Sequence, residues 1–321
     1  MEVKFHLPGL RKNYLINMMF VSLKQRNPEY FREGVAFGSF FGEFPTSLWN
    51  GGRVSRGDQC SADYIKFVIK SLNDLGIPVR FTYTNCLIEE EDLRDPYCNF
   101  CLTMANNGMN GVIVVSPLLE DYVRKNYPKM TITASTCREI KTPEDVNREL
   151  KKDYKMLVLD YNMNNRFDLL EQIEDKSRCE ILINSACIPN CPRRGGHYRA
   201  VSADQKVITR NMRKPVDQWE PVHPWDCEHA RGAQGNVYTI KDFCTYVSPE
   251  AIWEKYVPMG FTNFKIEGRS DDAFVVIEAL THYLIKPEYQ GLARLTVIHS
   301  MEQLNMINID YFPQIPGKPQ R

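Results

Sequence analysis

Four cysteines in one stretch offer the clearest chemistry in this sequence. Cys187 and Cys191 directly follow an apolar run that predicts a buried strand, and Cys227 and Cys244 follow later in the same region. Thiolate sulfur is a ligand for a tetrahedral zinc ion or an iron–sulfur cluster. The spacing therefore predicts a metal or cluster site, with four unrelated core cysteines as the alternative. The alternative ligands are the histidines that flank the third cysteine, His223 and His229.

A second group consists of Cys86, Cys98 and Cys101, of which the last two form a Cys-x-x-Cys pair at the start of a predicted helix. The positive end of the helix dipole favours thiolate there. These residues suggest a second metal site, with Cys60 or Cys137 as a further ligand. The alternative is that they are cysteines packed in the core.

Three charged residues, Lys265, Glu267 and Arg269, lie at the end of the last predicted strand. On a strand Lys265 and Glu267 share one face, because side chains alternate. Together they suit proton transfer or the binding of an anionic substrate, and Arg269 suits a carboxylate or phosphate. The alternative is a structural ion pair.

Five further residues are candidates for contacts with a substrate. His197, in a polar loop, suits acid–base chemistry or metal binding, although a solvated histidine is the alternative. Arg56 lies in a glycine-rich loop and suits an anion. Asn85, Asp160 and Asn184 each end a predicted strand, where they can hydrogen-bond a substrate.

The composition is that of an ordinary globular protein. Of 321 residues, 43% are hydrophobic, and 40 basic side chains balance 40 acidic ones. This balance lowers the expectation of nucleic-acid binding, except through a local basic patch. The first residues lack the pattern of a signal peptide, and no apolar stretch is long enough to span a bilayer. We therefore expect a cytoplasmic protein without a membrane partner, in which cysteines stay reduced.

Strand-like runs alternate with segments of helical spacing along most of the chain. Eight strands are predicted: Val3–Leu7, Val35–Phe40, Val79–Tyr83, Gly111–Val115, Thr131–Ala134, Met156–Asp160, Glu180–Ile183 and Asn263–Glu267. The predicted helices are 11–25, 61–75, 96–107, 118–126, 143–151, 165–174, 248–257 and 271–284. This alternation predicts a parallel (β/α)8 TIM-like barrel, with a doubly wound open sheet as the alternative.

The barrel interpretation divides the chain and places its cysteines. It assigns residues 1–290 to the barrel, with a long cysteine-bearing insertion at 188–247 between strands seven and eight, and residues 291–321 to a C-terminal extension. A structureless loop as long as this insertion is uncommon unless it is functional. In a barrel, loops after the strands converge on the active face. Nine of the ten cysteines follow a strand end, and Cys179 precedes one.

Several segments resemble one known family in the same order along the chain. Lys265-Ile-Glu-Gly-Arg269 is similar to the signature of the collagenase-like peptidase family, peptidase family U32. Ser135-Thr136 resembles its Ser-Thr-Gln, and Glu180-Ile-Leu-Ile with Cys187 resembles its glutamate-strand-cysteine motif. Thr239–Cys244 and His223–Cys227 fall where the family has its later cysteines. The chain departs from the pattern in having Asn184-Ser185 for His-Gly, Cys137 for glutamine and a closer first cysteine pair, which indicates a divergent member.

The resemblance implies a [4Fe–4S] cluster held by Cys187, Cys191, Cys227 and Cys244, with zinc as the alternative cofactor. Because the family includes proteins required for hydroxylation, it also implies an enzyme that hydroxylates or otherwise modifies a small molecule or an RNA base. Two alternatives remain: a peptidase, and a non-catalytic cluster-bearing subunit of a complex. A protein partner or a homo-oligomer is compatible with each.

Overall fold

Eight parallel strands close into a barrel, which confirms the predicted fold and excludes the open sheet. The computed structural model describes residues 1–52, 60–223, 225–227 and 237–307. The first and last strands close the barrel through the partners Lys4 and Asn263, Phe5 and Phe264, and His6 and Lys265. The strands are β1 (Val3–Pro8), β2 (Val35–Gly42), β3 (Val79–Tyr83), β4 (Gly111–Val114), β5 (Thr131–Ala134), β6 (Met156–Val158), β7 (Cys179–Leu182) and β8 (Asn263–Lys265).

Helices connect successive strands, as a parallel barrel requires. They are α1 (Tyr14–Arg26), α2 (Ala62–Asp74), α3 (Pro96–Ala105), α4 (Pro117–Asn126), α5 (Pro143–Leu150), α6 (Phe167–Leu170), α7 (Arg194–Asn211), α8 (Val237–Ile240), α9 (Pro249–Ala251, continued by a π-helical turn Ile252–Tyr256), α10 (Ala273–Leu284) and α11 (Gln290–Gln303). Single 3₁₀ turns lie at Pro28–Tyr30, Asp92–Arg94, Thr136–Arg138, Tyr161–Met163, Lys176–Arg178, Val216–Gln218 and Pro287–Tyr289. No helix within the described ranges is long and apolar enough to cross a bilayer.

The helix ends follow local sequence signals. At the start of α3 the Asp95 side chain accepts a hydrogen bond from the backbone N–H of Cys98 at 2.8 Å, and at the start of α5 the Thr142 hydroxyl caps in the same way. Gly76 and Gly108 follow α2 and α3 with φ of +72° and +92°. Glycine adopts this left-handed region without a steric penalty, so it ends these helices where the sequence predicts.

The apolar core lies between the strands and the helices. Phe5 of β1 packs against Phe264 of β8 and against Trp253, with ring centroids 5.9 Å apart in both pairs. Residues that alternate with these along the strands point into the barrel instead. The barrel interior is charged there, because it holds Arg80 and Glu180. This differs from the branched aliphatic side chains that usually fill a TIM barrel.

The insertion at 188–247 corrects one expectation, because the sequence predicted no helix there. It contains the 18-residue helix α7, and His197 lies on this helix and not in a loop. Residues 224 and 228–236 of the insertion lie outside the described ranges. After the barrel, α11 buries Ala293, Val297 and Met301, so the first part of the predicted C-terminal extension is a packed helix.

Candidate active site at the carboxyl end of the barrel

A cavity of about 330 Å³ opens at the carboxyl end of the strands. Phe41, Thr82, Ile113 and Leu182 line it from the strands, and Lys265, Glu267 and Arg269 line it from the end of β8. Cys137, Cys187, Cys191, Cys227, His197 and Trp225 complete much of the wall. Active sites of TIM barrels lie at this end. The structure therefore brings the three charged residues predicted from the sequence into one cavity with three of the four predicted cysteines.

Beneath the cavity lies a buried cluster of titratable groups, which we call the floor and which consists of His6, Arg80, Glu180 and Lys265; of these four, Lys265 lines the cavity. Arg80 Nη2 lies 2.6 Å from Glu180 Oε2, an ion pair without hydrogen-bond alignment. His6 Nε2 lies 3.5 Å from Glu180 Oε2, and Lys265 Nζ lies 3.5 Å from Glu180 Oε1. Ser39 Oγ bridges the cluster, at 2.8 Å from both His6 Nδ1 and Arg80 Nε.

The floor residues have shifted pKa values because they are buried close to one another, away from water. Burial by itself would raise the pKa of Glu180. The charges of Arg80, His6 and Lys265 outweigh burial and lower the pKa to about 2. Burial and the charge of Arg80 lower the pKa of His6 to about 3, against the pull of Glu180. At neutral pH, Glu180 is therefore a carboxylate and His6 is a neutral imidazole.

Lys265 lies where the floor meets the cavity. Its Nζ is 4.1 Å from the centroid of the Phe41 ring, and the side chain is 11% exposed. Burial lowers the pKa of Lys265 to about 8, Arg80 and Arg269 act in the same direction, and Glu180 opposes them. Lys265 is thus the floor residue whose protonation changes closest to neutral pH.

Glu267 and Arg269 are fixed by neighbours on other strands. Asn184, which follows β7, donates to the carbonyl of Glu267 at 3.0 Å and accepts from its N–H at 2.6 Å. The Glu267 carboxylate accepts a hydrogen bond from the N–H of Ala186 at 3.2 Å. Arg269 donates to Glu43 at 2.5 Å and to Thr82. Asn184 is fully buried and positions Glu267, and its contact with a substrate stays a prediction.

The cavity roof consists of α7 with residues 187–193 and 225–227. Arg194, on the first turn of α7, donates to Asp160 at 2.7 Å and packs on the Tyr161 ring. Asn85 donates to the carbonyl of Ser202 in the middle of α7 at 3.1 Å. Asp160 and Asn85 are both fully buried and hold the roof, so the structure gives them a supporting position, and neither lines the cavity.

Arg193, Trp225 and His197 form a stack at the edge of the cavity. The Trp225 ring lies 5.5 Å from the His197 ring at an interplanar angle of 9°, and the Arg193 guanidinium lies 4.5 Å from the Trp225 centroid. Within the described part of the chain, no carboxylate pairs with Arg193. The stack therefore offers a flat aromatic surface and a cation to a molecule in the cavity.

The predicted ligand cysteines are only partly brought together. Cys187, Cys191 and Cys227 line the cavity, whereas Cys244 is exposed and does not line it. The backbone of Cys244 is held by the Asn165 side chain, which donates to its carbonyl at 2.9 Å. Searched over the described residues alone, no group of three or more His, Cys, Asp or Glu side chains is close enough to hold a metal ion.

The Tyr161 hydroxyl is a polar group in the cavity wall, between Arg194 of the roof and the Cys187 thiol. Its hydroxyl is buried and lies within hydrogen-bonding reach of the Cys187 thiol, and the Tyr161 side chain lines the cavity. Burial raises the pKa of the Cys187 thiol, and the nearby Tyr161 hydroxyl opposes this shift. A bound group that accepts a hydrogen bond from this buried hydroxyl would be stabilised here.

The second predicted cysteine group does not form one site. Cys98 and Cys101 are fully buried in the core on α3, and burial raises the pKa of Cys98 well above its usual range and that of Cys101 to about 12. Cys86 contacts α7, with its thiol 3.6 Å from the carbonyl of Tyr198. These cysteines fit the packed alternative. Of the nine cysteines that follow a strand end, Cys137, Cys187, Cys191 and Cys227 line the cavity.

Some residues of this site were missed, and one prediction lies outside the described residues. Arg56 belongs to residues 53–59, which the structure does not describe. Arg80 could have been found as a functional candidate, because it is a charged residue inside a mostly apolar predicted strand, whereas Glu180 was named only as part of the family motif. Arg193 and Trp225 carried no comparable signal, because their positions depend on how the insertion folds.

Comparisons with known proteins give a distant relationship. No family model matches the chain. Over 112 residues it is 26% identical to a protein of Methanocaldococcus jannaschii described as an uncharacterized protease, and the match covers 33% of this chain and 32% of that relative. The chain thus spans about a third of the relative's length. The sequence match supports the resemblance to the collagenase-like peptidase family. A solved structure of a U32 peptidase has a TM-score of 0.47 and 12% identity, covering 83% of this chain and 92% of that one.

Proposed function

We propose that the chain is an enzyme whose cavity holds an iron–sulfur cluster and modifies a small molecule or a nucleic-acid base, for example by hydroxylation. The observation that carries this proposal is the shared cavity of Cys187, Cys191 and Cys227 with Lys265 and Glu267. A cluster would supply the electron transfer that hydroxylation requires and that ordinary side chains lack. The resemblance to a family with such members points in the same direction.

A single zinc ion and a cluster would place different demands on the spacing of the thiols. Tetrahedral zinc with Zn–S bonds of about 2.3 Å requires its sulfur ligands to lie roughly 3.8 Å from one another. The described residues contain no such group of three. A cluster binds each thiolate to a different iron, so its ligands are spaced more widely around a cavity. The Tyr161 hydroxyl suits a hydrogen bond to cluster sulfur, which accepts such bonds.

Cys244 is the open point of the ligand set. Cys187, Cys191 and Cys227 would hold three irons, and Cys244 completes a four-cysteine set only if residues 237–247 approach the cavity. Asn165 holds the backbone of Cys244 and Tyr246 by hydrogen bonds of 2.9 Å and 2.7 Å, so this approach would break two contacts. The alternative is a ligand set of three cysteines, Cys187, Cys191 and Cys227, without Cys244.

The chain's own residues supply binding and proton transfer. Lys265, with a pKa of about 8, can donate or accept a proton at Nζ near neutral pH. Glu267 offers a carboxylate on the same face, and His197 a ring nitrogen in the roof. Arg269 is held by Glu43 and lines the cavity, and Arg193 provides a cation for an acidic substrate. The cavity volume of about 330 Å³ is that of a site for a small molecule or one base.

The experiment is iron, sulfide and zinc analysis of protein purified without oxygen, with each ligand cysteine replaced by alanine. We expect iron and sulfide together, and their loss in Cys187→Ala, Cys191→Ala and Cys227→Ala. Cys98→Ala is the matched control, because this thiol is buried in α3 away from the cavity. Retained iron in Cys244→Ala would assign three cysteine ligands. Zinc without sulfide, or iron that survives all four changes, would refute the cluster.

A peptidase is the second candidate, because the relative from Methanocaldococcus jannaschii is described as a protease. The cavity contains thiols and His197, which are components of cysteine peptidases. Cleavage of unstructured peptides by metal-free protein, abolished by Cys187→Ala or Cys137→Ala, would favour this reading. Protein that carries an intact cluster and, with or without its metal, cleaves no peptide would exclude a peptidase.

An RNA substrate would instead show salt-dependent retention of RNA. A protein partner or a homo-oligomer would appear as a larger mass in solution.

A further inference from the structure

Lys265 presents an amine to the cavity from a surrounding of mixed charge. It extends from the end of β8, and the charged or titratable groups around it are His6 of β1, Arg80 of β3, Glu180 of β7 and Arg269 beyond β8. Phe41 of β2 covers the amine with its ring at 4.1 Å. The end of the side chain thus lies between a charged floor and an apolar wall.

The charges of the floor balance without Lys265. Arg80 and Glu180 form a pair of opposite charges at 2.6 Å, and His6 is neutral. A protonated Lys265 is therefore a second cation beside one carboxylate in a buried space. Burial is the main cause of the lowered pKa of Lys265, and the charges of Arg80 and Arg269 add to it, so both favour the neutral amine.

A neutral lysine amine in such a place is a nucleophile toward carbonyl groups. Imine-forming lysines are activated by removal from water or by a neighbouring cation, and Lys265 has both conditions. Among the residues described, it is the one lysine that lines the cavity. The other cations of the wall are arginines, whose guanidinium stays protonated and does not attack carbonyl carbon.

We propose that Lys265 forms a covalent imine with a small aldehyde or ketone that enters the cavity. Nζ attacks the carbonyl carbon and forms a C–N bond. The carbonyl oxygen then leaves as water with the two hydrogens of the neutral amine. The imine takes up one proton from solvent, and Glu180, 3.5 Å from Nζ, stabilises the resulting cation. No oxidant or reductant takes part. The inference uses the cavity of the proposed function but needs no cluster.

The test is reductive trapping on the full chain. Protein with and without iron is incubated with pyruvate or with glycolaldehyde and sodium cyanoborohydride, and the modified peptide is identified by mass spectrometry. Pyruvate adds a carboxylate that Arg193 can bind, so the two probes separate recognition of the acid from recognition of the carbonyl alone. Trapping by either probe at Lys265 supports the proposal.

The expected result is one reduced adduct at Lys265, faster than at an exposed lysine by on the order of a hundred-fold near neutral pH, because a larger fraction is unprotonated. Its rate should rise with pH through about 8. Lys265→Arg keeps the positive charge and should remove the adduct, whereas Lys66→Arg, at an exposed position on α2, should not. Two results with the wild-type chain would overturn the proposal. One is no adduct at Lys265 with either probe, and the other is equal labelling of Lys265 and Lys66. Iron content, measured on the same samples, reports on the cluster separately.

Discussion

The floor and the roof of the cavity are stabilised in different ways. The floor consists of side chains on neighbouring strands, so the register of the barrel brings His6 opposite Lys265 and places both beside Glu180. The roof is a helix held through single polar contacts to loops, such as Arg194 to Asp160 and Asn85 to Ser202. A floor fixed by backbone pairing tolerates little change, whereas a roof fixed by side chains can be loosened one contact at a time.

The largest effect is expected from Glu180→Gln. This change leaves Arg80 and Lys265 as buried cations without a carboxylate, and breaking a buried pair in this way costs about 3–5 kcal/mol of unfolding free energy. Denaturant unfolding measures it. Arg80→Met is the comparison, because Lys265 remains near enough to balance Glu180, and it should cost less. Equal losses in the two variants would contradict the charge balance described for the floor.

Acidification should destabilise the floor through His6. The folded pKa of about 3 lies below the ordinary 6.5, so the unfolded chain binds a proton that the folded chain excludes. Stability present above pH 6.5 is therefore lost as the pH falls toward 3, by on the order of 3 kcal/mol between pH 7 and pH 4. Denaturant midpoints across this range test it. His6→Gln should flatten the dependence and His299→Gln, on the surface, should leave it unchanged. A wild-type curve no steeper than that of His6→Gln would count against a neutral His6.

In the roof, Asp160→Asn should have a smaller and more local effect. Arg194 loses its carboxylate but keeps the Thr136 carbonyl and the Tyr161 and Tyr198 rings. We expect a loss of about 2 kcal/mol, the range for a hydrogen bond to a charged group. Hydrogen exchange should become faster in α7 and stay unchanged in β7 and β8. Faster exchange throughout the barrel would mean that the roof and the floor are one unit.

The smallest effects separate the two classes of cysteine. Cys98→Ala removes one buried sulfur and should cost about 1 kcal/mol through lost burial, without changing iron content. Cys227→Ala, at the cavity, should cost little in metal-free protein and should remove iron. Unfolding of metal-free protein, followed by iron analysis of anaerobic protein, measures both. The comparison fails if both variants lose iron to the same extent.

The strands were predictable because they are short apolar runs bounded by turns. Seven of the eight begin at the predicted residue, and only β7 begins one residue earlier, at Cys179. The last residues of β6 and β8 were less predictable, since Asp160 and Glu267 are near strand ends but outside the paired segments. The predicted helix at 165–174 is only the short α6, Phe167–Leu170, and the 3₁₀ turn Lys176–Arg178 follows before β7.

The roof was not predictable from periodicity. Helix α7 begins with Arg194 and two glycines, and its buried residues include Ser202, Gln205, Lys206 and Thr209, so it has no apolar stripe. Its stability comes from partners far away in the chain, such as the carbonyl of Ser47, to which Gln205 donates at 2.9 Å. The positions of Arg193, Trp225 and the cavity thiols depend on that packing.

The most direct measurement is a crystal structure of anaerobically purified protein with X-ray data collected at the iron absorption edge. We expect an iron signal in the cavity, with Cys187, Cys191 and Cys227 as ligands and Tyr161 beside it. Iron bound elsewhere, or a single zinc ion in its place, would contradict the account. So would an ordered cavity in which these three thiols contact only protein.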